Sequence, residues 1–166
     1  MALLLVGVMS ACGNHNQDTR NLTNYSGPPV TQIVVKKKER ELYLVSGKDV
    51  VKQYRIQLGN SPQGAKQYEG DGKTPEGLYF VNRFNPNSRY HLSVGISYPN
   101  DQDMIRAQIA GLRPGGDIMI HGLGPEGRIL TKKTSDWTAG CIAVSDKDIE
   151  EIYSMLQPGT PIFIYP

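Results

Sequence analysis

From Thr31 onward the chain settles into short alternations of apolar and polar residues. "TQIVVKKKERELYLVSGKDVVKQYRIQLG" holds three such runs, broken near Lys38–Arg40 and at "SGKD". A period of two with tight breaks predicts antiparallel strands joined by short turns. "LYFVNRF" and "YHLSVGISY" read as two more strands, interrupted by "NPNS". "PGGDIMIHG" is a turn feeding a strand over 117–120 that delivers His121 at its end. "CIAV" reads as a buried strand and "GTPIFIYP" as a closing one. Two stretches change to helical spacing. "NDQDMIRAQIAG" has early acidic residues, apolar Met104, Ile105 and Ile109, and Gly111 as a stop. Ser145 with Asp148 predicts a capping box, and Ile149, Ile152, Tyr153 and Leu156 fall at i, i+3, i+4 and i+7, one apolar face for the sheet. The sum is a mainly β domain, sandwich- or barrel-like, with one or two short helices packed on it.

Between the third and fourth strands lies "GNSPQGAKQYEGDGKTPEG", a glycine-rich loop long enough to expect a function of it. "KKKER" at 36–40 reads as a hairpin tip. Length then bounds the picture to one domain and a tail, since the chain has 166 residues. A net charge of +2 is too balanced for a nucleic-acid surface. The tail has its own pattern. The apolar run from Leu3 to Met9, small residues and Cys12 resemble a bacterial lipoprotein signal peptide with "MSAC" as lipobox, though without the usual basic start. Residues 1–11 are thus expected to be a leader, Cys12 the lipidated residue, and 12–30 a flexible tether that holds His15, to which no role is given. That would place the domain, 31–166, on the periplasmic side of a bacterial cell envelope, held to the membrane only through lipid. Gly13, rather than aspartate, after Cys12 leans the anchor towards the outer membrane. Lipid on Cys12 leaves Cys141 without an intramolecular partner; an unlipidated chain would allow a Cys12–Cys141 disulfide.

Candidate chemistry centres on His121 and Cys141, each where an apolar strand meets a glycine: "IMIHG" and "TAGCIAV". If those strands are neighbours, imidazole reaches sulfur and can take the thiol proton. Gly140 leaves room for a carbonyl, and backbone N–H groups near Gly140 and Cys141 could hold an oxyanion. Buried, inert cysteine is the plainer alternative.

The motifs narrow this. "HG", then "TAGC" beginning sixteen residues after Gly122, resembles the signature of the YkuD-type L,D-transpeptidases, and "GDGKTPEGLYFV" and "PGGDIMIHG" resemble that family's strands upstream. The resemblance implies their β-sandwich over 31–166, with Cys141 as nucleophile, His121 as general base, the Gly122 carbonyl orienting His121, and the Gly140 N–H at the oxyanion. It implies attack on the meso-diaminopimelate–D-Ala bond of a peptidoglycan stem peptide, release of D-Ala and transfer of the stem to an amine, on another stem or on an envelope lipoprotein. No metal or organic cofactor is implied. Ala139 and Ala143 stand where many members carry histidine and a polar residue. Asp136 and Trp137 instead resemble a subgroup written Asp-Trp-Thr-x-Gly-Cys, some of whose members hydrolyse rather than ligate. A peptidoglycan hydrolase or amidase is therefore the first alternative, and a non-catalytic peptidoglycan-binding lipoprotein the second.

Thr138, Trp137, Arg128 and His91 are the expected substrate contacts. Carboxylates on the stem call for an arginine, with Arg128, Arg113 and Arg89 taken in that order of closeness to the motif. Trp137 could equally pack under the turn, and His91 could be an ordinary strand-face residue. A zinc site from His91, Asp117, His121 and Cys141 matches no closed zinc spacing.

Overall fold

The computed structural model describes residues 24–166, so the expected leader, Cys12, His15 and most of the tether lie outside the described residues. Eight strands and three helices follow one another: β1 (Gln32–Lys36), β2 (Glu41–Ser46), β3 (Asp49–Arg55), β4 (Gly77–Ser88), β5 (His91–Ile96), α1 (Asp101–Ile109), β6 (Met119–His121), α2 (Gly124–Leu130), β7 (Ile142–Ala143), α3 (Asp146–Met155) and β8 (Pro161–Tyr165). The alternation read from the sequence sets the inward faces. Ile33 and Val35 of β1, Leu42 and Leu44 of β2, and Ile162 and Ile164 of β8 are all buried on one side of the sheet. Each such side chain, fully removed from water, contributes roughly 1.5–3 kcal/mol.

The strands order as β3-β2-β1-β8-β4-β5-β6-β7. β4 makes the sheet turn: Gly77–Phe80 pair with β8, while Val81–Ser88 pair with β5. Pro86 lies where that second ladder shifts register, a place where a missing N–H costs no ladder bond. The sheet curls far enough for its edges to touch, with Gln57 and Ala143 exchanging N–H···O bonds of 2.9 and 2.8 Å. α3 closes one side of the core, burying Ile149, Ile152 and Leu156 with Tyr153 partly covered, as its spacing predicts. Its Ser145 hydroxyl accepts the Asp148 amide at 3.1 Å, the first arm of the expected capping box. The reciprocal box is complete on α1, where Asn100 and Asp103 exchange bonds of 3.0 and 3.1 Å. α1 itself is held by a polar anchor: Tyr79 Oη donates to the buried Asp103 carboxylate at 2.8 Å, while Met104, Ile105 and Ile109 face solvent.

Three features depart from expectation. α2 is a third helix where one or two were expected, starting on Gly124 and Pro125. Tyr25 and Val30, within the expected tether, pack against the core. The basic run 36–40 does more than turn the chain. Lys37 is buried, and its Nζ donates to Gly64 O at 2.7 Å, Thr74 O at 3.0 Å and Glu76 Oε1 at 2.8 Å. A second lysine orders the other half of the same long loop. Lys66 and Asp71, 3% and 2% exposed, lie 2.9 Å apart, and Asp71 also accepts the amides of Gln67, Tyr68 and Lys73.

That pair yields a stability prediction. Burial pushes the Asp71 carboxyl up, but the three amides and Lys66 outweigh it and hold it below the usual carboxylate range. A depressed folded value means the contribution is complete above the unfolded value and is lost as pH falls through the folded one. Asp71→Asn strands a buried ammonium and should cost about 3 kcal/mol in urea unfolding at neutral pH. The loss should shrink below about pH 4, where the carboxyl of the unfolded wild-type chain begins to protonate. An Asp71→Asn protein as stable as wild type at pH 7 would refute the role given to the pair.

Candidate active site

β6 and β7 run parallel, with Ile120 opposite Ile142 and His121 opposite Ala143, so the two strand ends converge as the motif spacing requires. His121 and Cys141 open on one cavity of about 370 Å³, shared with Asn85, Ser88, Arg89, Tyr90, Ser93, Asp117 and Met119. Cys141 carries a free thiol, half-buried, whose Sγ donates to Asp117 O at 3.4 Å.

β7 is only two residues long, so loops must fix the cysteine turn. Thr138 is buried; its hydroxyl donates to Cys141 O at 2.7 Å and accepts the Gly140 N–H at 3.1 Å. Thr138 N donates to Leu58 O and Asn60 N to Thr138 O, at 3.1 and 2.9 Å. Asp136 ties the approach down, accepting the Leu58 amide at 2.9 Å and the Arg40 guanidinium at 2.8 Å. Gly140 has φ +137°, and a Cβ there would fall 2.6 Å from Lys73 O, so only glycine fits. The long loop expected to be functional is thus the roof over the cysteine turn, with the buried lysines as its posts. Thr138 shapes this turn rather than lining the cavity, and the Gly140 N–H expected at an oxyanion is engaged by Thr138 Oγ1.

His121 is almost fully buried and held from three sides. Its Nδ1 lies 2.6 Å from Gly122 O. A carbonyl only accepts, so Nδ1 carries the proton and Nε2 keeps its lone pair in the neutral ring. Tyr90 stacks on the ring at 4.5 Å, and Trp137 meets it edge-on at 5.7 Å. Trp137 in turn donates Nε1–H to Gln57 Oε1 at 2.6 Å and lies against Gly127 of α2, where a Cβ would come 2.9 Å from its ring. Trp137 thus packs behind the imidazole and is not among the residues lining the cavity.

The remaining expected contacts scatter. Arg128 pairs with Asp146, whose carboxylate also accepts the Leu123 and Gly124 amides, and it does not line the cavity. Arg113 pairs with Glu69 at 2.5 Å, in a different hollow. Arg89, ranked last, lines the cavity while lying over Tyr90 and pairing with Glu126. His91 Nε2 meets Glu150 of α3 at 2.7 Å, away from the cavity. Nothing in the local pattern marked Tyr90, Ser93 or Met119, and Asp117 entered only in the zinc set weighed above; strand pairing brings them in. Ser93, directly opposite His121, was legible only as an inward polar residue on an apolar strand.

Burial acts on both groups of the pair. It pushes the Cys141 thiol up, against the Met119 amide and the Lys66 and Arg83 cations, and pushes His121 below its ordinary value, against its bond to Gly122. The resting pair is consequently neutral thiol and neutral imidazole, not thiolate and imidazolium. Alkylation of Cys141 by iodoacetamide should therefore climb steadily from pH 6 through pH 9. A plateau already reached near neutrality would mean a resting ion pair instead.

Comparison with known proteins fits this geometry. The family model described as the L,D-transpeptidase catalytic domain, YkuD, matches residues 30–164. The YafK protein of Escherichia coli K12 is 30% identical over 152 residues, 84% of this chain and 55% of the relative. This chain thus spans about half the length of the curated relatives it matches. The helical cell shape determining protein Pgp2 of Campylobacter jejuni superposes with a TM-score of 0.63 at 27% identity, over 88% of this chain and 51% of that one. The L,D-transpeptidase of Mycobacterium smegmatis, 14% identical, shares the fold with a TM-score of 0.55 over 84% and 60% of the two chains. With a family match across nearly all the described residues, this chain belongs to the YkuD family of L,D-transpeptidase catalytic domains.

Proposed function

We propose that the domain is a cysteine acyltransferase acting on peptidoglycan stem peptides. The observation that carries this reading is the pairing in one cavity of a free thiol with an imidazole whose tautomer is set by the Gly122 carbonyl. In the proposed step Nε2 takes the thiol proton as Sγ attacks the carbonyl joining diaminopimelate to D-Ala. The C–S bond forms, the carbonyl oxygen becomes an oxyanion beside the Cys141 amide, and the C–N bond breaks as imidazolium protonates the departing amine. D-Ala leaves and the stem is held as a thioester. An amine then attacks the thioester, its proton passes to His121, and the thiolate leaves. Because the ring donates from Nδ1 to a carbonyl and not to a carboxylate, the Gly122 bond favours imidazolium less than burial opposes it. The charge exists only during transfer, in keeping with the neutral resting pair.

Water in place of the amine would make the same machinery a hydrolase, the reading favoured by the Asp136-Trp137-Thr138 variant of the motif. A location at the periplasmic face of the envelope, anchored through Cys12, completes the proposal and supplies the stems as substrate, with an envelope lipoprotein as an alternative amine source.

Incubation with a disaccharide-tetrapeptide, followed by intact mass and muropeptide analysis, tests it. The expected result is a thioester adduct with release of D-Ala, absent from Cys141→Ala and slowed about 10²–10⁴-fold in His121→Ala. Cross-linked dimers would assign ligation and tripeptide alone would assign hydrolysis. Adduct-free wild-type protein with no product, from tetrapeptide or from lipoprotein-linked stems, would leave only a binding protein.

A further inference from the structure

One arginine beside the thiol was not among the expected contacts. Arg83, on β4, pairs with Asp117 at 2.6 Å, at the head of β6. Its path is built. Gly95 of β5 stands opposite Arg83, and a Cβ there would fall 2.6 Å from Arg83 Cγ and 2.9 Å from Nε. The arginine stem therefore lies flat across β5 and delivers its guanidinium to Asp117. Asp117 is held just as closely, in the left-handed region at φ +56°, with its carbonyl accepting Cys141 Sγ. Asp117 thus lines the cavity beside the sulfur, with the Arg83 guanidinium on its carboxylate.

We propose that Arg83 and Asp117 together seat a free α-amino-acid group, an ammonium and a carboxylate carried on one carbon. Side-chain exposures of 47% and 82% mean the pair contributes little to the fold, so parting it costs little. A zwitterion exchanges partners with it: the guanidinium fork takes the carboxylate, Asp117 takes the ammonium, and no charge is left unpaired. A ligand with only one of the two charges satisfies one member and strands the other, which is the basis of selection. The ion pairs of the other exposed arginines, Arg55–Glu41, Arg106–Asp103, Arg113–Glu69 and Arg128–Asp146, involve no residue that lines the cavity, and Arg89 is turned onto Glu126 and Tyr90. The two charges also act on the Cys141 thiol in opposite senses, Asp117 raising it and Arg83 lowering it, which places both within electrostatic reach of the reacting atom. The identity of the ligand rests on the acyl-transfer reading: meso-diaminopimelate ends its side chain in such a group, whereas lysine at the same stem position keeps the ammonium and lacks the carboxylate.

Calorimetric titration of the Cys141→Ala protein, which cannot react, with stem tripeptides carrying diaminopimelate or lysine tests the seat. The diaminopimelate stem should bind about tenfold more tightly. Arg83→Ala in the same background should erase that preference while moving the lysine stem by no more than about twofold, and Arg83→Lys should restore part of it. Asp117→Asn should weaken both stems, since both carry the ammonium. Equal affinity for the two stems, no binding of either, or a preference that survives Arg83→Ala would overturn the proposal. Wild-type turnover of the corresponding tetrapeptides, run alongside, judges the chemistry separately. An Arg83-dependent preference with no acylation would keep the seat and discard the acyl-transfer reading.

Discussion

Everything at this site depends on fixing a cysteine that the sheet itself scarcely holds. Cys141 precedes a strand of two residues, too short a ladder to set a turn. The turn is pinned from the loops. Thr138 satisfies it from within, Leu58 and Asn60 from below, and the Lys73 carbonyl presses on Gly140 from above. Those loops need supports of their own, and the supports are charged. Asp136 is locked by Arg40 from the first hairpin, and the roof stands on Lys37 and Lys66. Buried charges are an inefficient way to gain stability. Their directionality is what an apolar contact lacks, and here it places one sulfur atom.

The imidazole is fixed by different means. Tyr90 and Trp137 box the ring, and Gly122 sets its tautomer, so a backbone carbonyl and not a carboxylate orients His121. Burial then disfavours charge on sulfur and nitrogen alike. A neutral pair in a half-closed cavity spares the thiol from the oxidation and adventitious alkylation that a standing thiolate attracts. The reacting couple becomes charged only when a carbonyl arrives to use the electrons.

Reading the sequence recovered the strands with strict alternation and the α3 face, because each is dictated by neighbours one to four residues away. The Cys141–His121 pairing and the family were legible too, since motif spacing encodes them. What was lost depended on distance along the chain. α2 hid because Gly124 and Pro125 are loop formers by local rule, and only its packing of Gly127 on Trp137 makes a helix worthwhile. Nothing in "KKKER" marked Lys37 as buried, because its partners at 64, 74 and 76 are far along the chain. Closeness to the motif along the chain says little about the arginines for the same reason. Strand pairing carries Arg83 across Gly95 to Asp117, while Arg128, thirteen residues before Cys141, turns to Asp146.

The order of strands carries one more consequence. β1 and β8 are the first and last strands of the domain, they are adjacent, and they run parallel, with Ile33 beside Ile162 and Lys36 beside Tyr165. The chain therefore enters at one end of this ladder and leaves at the other. Tension applied between the two ends would slide the strands past each other, loading all the ladder bonds at once instead of peeling them singly. That shear geometry is the direction in which a sheet resists force best.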